Sequence, residues 1–127
     1  MMNRLEFEKL LSDLHSARTE GRLDPLCALF APQANFRIAG SSEGKPIAIV
    51  AHGSAEIRAW LALMLKTFKL TRYKRLSLAI DGDRAAVHWS VDIHSKITGV
   101  VVPTELVDLV EVVDGRIATY REFFAPC

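Results

Sequence analysis

An α+β fold follows from three features of this 127-residue chain. Two long runs of alternating apolar and polar residues, 84–97 and 100–113, are followed by a third at 116–124 and preceded by a shorter one at 75–80. Asp81-Gly82-Asp83 and Asp114-Gly115 join the first and last pairs of runs, and both are hairpin signals between half-buried strands. Helical periodicity is confined to the chain before these runs, and helices followed by consecutive strands predict an antiparallel sheet covered on one face.

Asn3 and Glu6 have the spacing of a capping box that opens the first helix. Phe7, Leu10, Leu11, Leu14 and Ala17 form its apolar face, and Gly21 is placed to end it in a left-handed cap. Asp24 as N-cap and Pro25 at the first helical position predict a short helix over 25–30. Residues 35–39 read as a short strand, 40–46 as a polar loop and 47–51 as a further strand. Gly53-Ser54 opens the most regular helix, in which Ile57, Trp60, Leu61, Met64, Leu65 and Phe68 keep one stripe. In the sheet, Val87, Trp89, Val91 and Ile93 alternate with His88, Ser90, Asp92 and His94.

Composition narrows the functional classes. Half the residues are hydrophobic, as in a globular chain, and the length predicts a single domain over residues 1–127. A net charge of +1 gives no global attraction to nucleic acid or membrane surfaces. No apolar run reaches the ~18 residues that span a bilayer. Two cysteines, Cys27 and Cys127, fit a reducing cytoplasm better than a disulfide scaffold, so a cytoplasmic location is expected. Phosphate loops, Cys-x-x-Cys, His-Glu-x-x-His and Gly-x-Ser-x-Gly are all missing, so neither a cofactor nor a metal is expected.

Asp108 is the most informative residue. Its same-face neighbours are Leu106 and Val110, and a carboxyl there needs a partner, a solvated or interface face, or a raised pKa. Tyr120 and Glu122 lie on the next strand, and their face depends on the Asp114-Gly115 turn. A two-residue turn sets Asp108 opposite Arg121; a three-residue turn with Gly115 as a bulge sets it opposite Tyr120, with Glu122 close by. His88 and His94 are roughly 20 Å apart along a strand, too far to share a metal. His52 precedes a helix start and can face a pocket mouth. Lys66, Lys69, Arg72, Lys74 and Arg75 form a basic run that fits a helix C-terminus and a solvated strand better than a nucleic-acid surface.

Several phrases resemble the SnoaL-like and ketosteroid-isomerase-like proteins. Leu26-Cys27-Ala28-Leu29-Phe30-Ala31-Pro32-Gln33-Ala34 is similar to their alanine-leucine-phenylalanine-alanine-acid-acid-alanine phrase. Phe36-Arg37-Ile38-Ala39-Gly40, Gly53-Ser54-Ala55-Glu56-Ile57-Arg58-Ala59-Trp60-Leu61, Gly82-Asp83-Arg84-Ala85-Ala86-Val87, Val113-Asp114-Gly115-Arg116-Ile117 and Tyr120-Arg121-Glu122-Phe123-Phe124 resemble later phrases in the same order. The resemblance implies a nuclear-transport-factor-2-like cone, a curved antiparallel sheet wrapped around N-terminal helices and one deep pocket. It favours the three-residue turn and implies a homodimer across the outer face that carries His88, Ser90, Asp92 and His94.

By the same resemblance, Asp108 matches the protonated aspartic acid with which ketosteroid isomerases stabilise an oxyanion. Their helix tyrosine falls at Leu14 and their general-base aspartate near Ile38, so steroid isomerisation is not expected. The expected catalytic set is Asp108, Glu122 and Tyr120. Trp89, Phe124, Leu14, Ile38, Trp60, Leu106 and His52 are expected around a small apolar ligand. Cofactor-free acid–base catalysis, as an isomerase, cyclase or hydrolase, is the first functional expectation. A binding or accessory domain with the same pocket is the second.

Overall fold

The computed structural model describes residues 2–127. Helix α1 (Arg4–Glu20) begins with the expected capping box: the Glu6 N–H donates to Asn3 Oδ1 at 2.9 Å, and the Glu6 carboxylate accepts from the Asn3 N–H. Gly21 closes it at φ 71°, a conformation that other residues adopt at a cost. Helix α2 spans Leu23–Ala28, two residues earlier than the sequence predicts, with Arg22 as N-cap. Pro25 therefore sits third in the helix. It is tolerated there because every N–H of a first turn lacks an intrahelical acceptor.

Strands β1 (Phe30–Ser42) and β2 (Lys45–His52) are longer than predicted. The polar loop expected over 40–46 shrinks to a two-residue turn, Glu43-Gly44, with both φ values positive (53° and 77°). Helix α3 runs over Gly53–Thr67, and Phe68 already begins β3 (Phe68–Asp81). Two register shifts in β3, one beside Arg72 at φ 56°, break its alternation and hide its first half from a period-two reading. Strands β4 (Arg84–Ser95), β5 (Val101–Val113) and β6 (Arg116–Pro126) complete the chain.

All six strands form one curved, unclosed sheet in the order β2-β1-β6-β5-β4-β3. Every neighbouring pair is antiparallel except β1 and β6, which run parallel. Phe7, Leu10, Leu11 and Leu14 of α1 are buried with Val87, Trp89, Val110 and Ile117 from the sheet. Each such side chain contributes about 1.5–3 kcal/mol when taken out of water. Among the described residues no helix is long and apolar enough to cross a membrane.

The β5–β6 hairpin decides which side chains of β6 face inward. Asp114 and Gly115, with φ of 52° and 77°, make a two-residue turn that pairs Val113 with Arg116 and Val112 with Ile117. Uninterrupted, that register would set Asp108 against Arg121. Ala118 instead enters as an extra residue: Glu111 pairs with Thr119, and Asp108 pairs with Glu122. The three-residue turn favoured by the resemblance is thus replaced by a tight turn and a bulge within the strand. The bulge reverses the strand's parity, so that Ile117, Tyr120 and Glu122 are all buried.

Further along β6, Phe124 lies beside Gly40 in the parallel pair. A Cβ on Gly40 would lie 2.6 Å from the Phe124 carbonyl oxygen and 2.7 Å from its ring. The β1–β6 approach therefore requires glycine at this point. Gly40→Ala is expected to destabilise the fold by roughly 1–3 kcal/mol, read as a lower thermal midpoint, with Phe124 displaced in a crystal structure of the variant.

Candidate active site

Leu11, Leu14, His15 and Arg18 occupy helical positions i, i+3, i+4 and i+7, so His15 and Arg18 continue the apolar stripe of α1 into the core. Both are buried. They meet the two acids that β5 and β6 turn inward, Asp108 (0% exposed) and Glu122 (2%). His15 Nε2 lies 2.9 Å from Asp108 Oδ2, and His15 Nδ1 lies 2.8 Å from the Tyr73 hydroxyl. Arg18 donates to Glu122 Oε1 and, at 3.2 Å, to the Tyr120 hydroxyl, which itself donates to Glu122 Oε1 at 3.1 Å.

Trp89 forms one wall of this cluster. The His15 ring is tilted 36° over it at 4.5 Å, and the Arg18 guanidinium lies 5.3 Å from its ring centre. Trp89 Nε1 and Asp108 Oδ1 are buried without a hydrogen-bond partner. The indole is near enough to pull the Asp108 pKa down, yet it lies outside hydrogen-bond geometry.

Electrostatics follow from having two acids and a single guanidinium. Burial is the largest influence on Glu122 and Asp108 adds to it; together they outweigh Arg18 and push the Glu122 carboxyl up from 4.5 to about 7. Asp108 is also raised by burial, against the pull of Arg18. Burial, reinforced by the Arg18 charge, drives the His15 imidazole down from 6.5 to about 3, so it is neutral at physiological pH. For Arg18, burial works against the charge, but Glu122, Tyr120 and Asp108 together keep it protonated. One cation beside two carboxyls is balanced when the acids retain one proton between them, and they titrate as a coupled pair.

A pocket of about 380 Å³ opens beside this cluster. Arg18 and Glu122 are the charged groups in its wall, with Thr104 and Ser42 as hydroxyls. The other lining is apolar and includes Ile38, Leu61, Met64, Phe68, Leu106 and Phe124. Of the residues expected around a ligand, Ile38, Leu106 and Phe124 line it. Leu14 and Trp89 are buried in the core behind it. Trp60 lies roughly a quarter-turn away from the α3 face of Leu61, Met64 and Leu65 that does line it. His52 is exposed at the N-cap of α3 and bonds Asn35 Oδ1 at 2.7 Å, away from the pocket.

Among the expected catalytic residues, Glu122 reaches the pocket; Tyr120 stands outside the lining and is joined to it through Arg18 and Glu122, and Asp108 also stands outside it, hydrogen-bonded to His15. Sequence reasoning missed His15 and Arg18. Their signal was present: two basic residues at the spacing of Leu11 and Leu14, where a helix buries its stripe.

The shifted groups make opposite contributions to stability. Glu122 favours the folded state below its ordinary 4.5, and this contribution is lost as pH rises through about 7. His15 favours it above 6.5, and that contribution is lost as pH falls toward about 3. Denaturant unfolding followed against pH should therefore show a maximum between these two limbs. Glu122→Gln should flatten the alkaline limb and leave the acid limb in place.

Comparison with known proteins agrees with this architecture. A provisionally named isomerase from Bacillus subtilis superposes with a TM-score of 0.78 at 25% identity, over 98% of this chain and 90% of that one. An NTF2-like protein from Burkholderia xenovorans gives 0.80 at 18% identity, over 98% and 93%. An LEH-like epoxide hydrolase from M. tuberculosis gives 0.75 at 16% identity, over 95% and 84%. No curated protein sequence matches the chain. The model of the SnoaL-like domain matches residues 11–120, which span α1 to the inward-facing Tyr120. With that match extending over most of its length, the chain belongs to the SnoaL-like family.

Proposed function

We propose that this protein is an acid–base enzyme of the isomerase or hydrolase kind, acting without a cofactor on a small, mostly apolar molecule. The observation that carries this reading is the Arg18–Glu122 pair set in the wall of an otherwise apolar pocket. A carboxyl held near 7 can give a proton to a ligand oxygen or take one from a ligand carbon at neutral pH. The adjacent Arg18 offers fixed positive charge to an oxyanion developing in the same place. Tyr120 orients Glu122, and Asp108 helps keep it protonated. The isomerase and the epoxide hydrolase of similar fold support this class of chemistry.

A second reading, ligand binding without turnover, is favoured by Leu14 and Ile38, which leave two isomerase positions apolar. One screen separates the two readings. Purified protein is incubated with apolar ketones, lactones and epoxides, binding is followed by thermal shift, and products are followed by mass spectrometry. For an enzyme, Glu122→Gln should lower kcat by about 10²–10⁴-fold while ligand still binds. The wild-type rate should change with an inflection near 7, and that inflection should be missing from the variant's residual rate. Binding without product from any compound supports the second reading.

We propose further that the outer sheet face meets a second copy of the chain. Val107 and Phe123 are paired neighbours there and remain 36% and 40% exposed, an apolar centre with His88 beside Val107 and Ala39 beside Phe123. Sedimentation should give twice the chain mass, and Phe123→Glu should give a monomer. A monomeric wild-type protein at micromolar concentration would remove this proposal.

A further inference from the structure

The pocket is not the sole route by which the buried acids communicate with solvent. Asp108 lies outside the pocket lining, and its hydrogen bond leads the other way: to His15 Nε2 at 2.9 Å, then from His15 Nδ1 to the Tyr73 hydroxyl at 2.8 Å. Tyr73 belongs to β3 and is 39% exposed, whereas His15 and Asp108 are 2% and 0% exposed. The chain of bonds therefore starts at a side chain that meets water and ends at an acid that does not.

We propose that Tyr73, His15 and Asp108 form a proton conduit that loads and unloads Asp108, the strand partner of Glu122, from the surface while a ligand occupies the pocket. This rests on the acid–base reading of Glu122 given above, and it assigns His15 and Tyr73 positioning roles in that reaction. A proton arriving from water binds the Tyr73 oxygen as the hydroxyl proton moves to His15 Nδ1. The Nε2 proton passes to Asp108 Oδ2 at the same time. One proton enters and one arrives; the imidazole is neutral before and after, having changed from its Nε2–H to its Nδ1–H form. Discharge is the reverse.

The surroundings of His15 suit a neutral carrier. Arg18 on its own helix and Arg75 on β3 oppose a positive imidazole, whereas Glu122 on β6 favours one and Asp108 on β5 accepts its bond. Trp89 on β4 covers the ring face. A ring held neutral at rest can relay a proton by exchanging one tautomer for the other, without resting as the imidazolium.

A purely structural histidine would hold Asp108 in place with one fixed tautomer, and this gives the test. Ring nitrogen shifts of His15 are recorded by NMR on protein with ¹⁵N-labelled histidine, assigned with His15→Gln, from about pH 5 to about pH 9. The expected result is a neutral ring whose protonated nitrogen changes from Nδ1 to Nε2 as pH rises, with the midpoint at which the ¹³C carboxyl signal of Asp108 or Glu122 titrates. Asp108→Asn should abolish the change. Tyr73→Phe should slow exchange of the His15 ring proton with water by at least roughly tenfold. One tautomer throughout, an imidazolium, or unchanged exchange in Tyr73→Phe overturns the conduit. None of these measurements requires turnover, so the conduit can fail while Glu122 remains the acid, and Glu122 can fail in the substrate screen while the conduit holds.

Discussion

Two carboxyl groups facing each other across a pair of strands, with one guanidinium to share, form the constraint around which this molecule is arranged. Asp108 and Glu122 are directly paired in the β5–β6 ladder and both are buried. Like charges in such a position cannot both ionise cheaply. The fold meets the problem with two side chains from one helix: Arg18 pairs with Glu122, and the neutral His15 hydrogen-bonds Asp108. Helix α1 consequently does two jobs along one stripe. Phe7, Leu10 and Leu11 anchor it by burial, and one turn later the same stripe supplies the counter-groups.

Stability does not explain this cluster. A buried ion pair roughly cancels its own desolvation, and well-packed apolar residues of similar size commonly serve a core as well or better. Here the pair also borders a hollow that the adjacent apolar side chains leave unfilled. A core selected for stability alone would close that space and dispense with the charges. The neutral His15, the elevated Glu122 and the pocket beside them form a single arrangement, and the proposed acid–base role rests on it.

Much of the fold was legible because periodicity and turn chemistry report it directly. The capping box at Asn3 and Glu6, the left-handed Gly21, the α3 stripe and the alternation in β4 and β5 are local signals, and each agrees with the structure. The first half of β3 was illegible because two register shifts interrupt its alternation, and 40–46 looked like a loop because a two-residue turn with its flanking strand ends is rich in polar residues. The site was legible only in part. Leu106 and Val110 put Asp108 on an apolar strand face but left a solvated or interface position open, and the position of Glu122 depends on a bulge at Ala118, which no alternation in β6 announces. His15 and Arg18 fell on the apolar stripe and were passed over because a basic residue on a helix is ordinarily read as solvated.

The bulge at Ala118 therefore matters more than its size suggests. Upstream of it, β6 continues the register of a tight turn and places Ile117 in the core. Were that parity maintained, Thr119, Arg121 and Phe123 would point inward, while Tyr120 and Glu122 would face out. One additional residue reverses this: Phe123 moves to the outer face, and Tyr120 and Glu122 come within reach of Arg18. Pocket wall, buried acid pair and exposed apolar patch all change together with this single irregularity. A strand carries information on two faces at once, and the place where its register shifts determines which face becomes chemistry and which becomes surface.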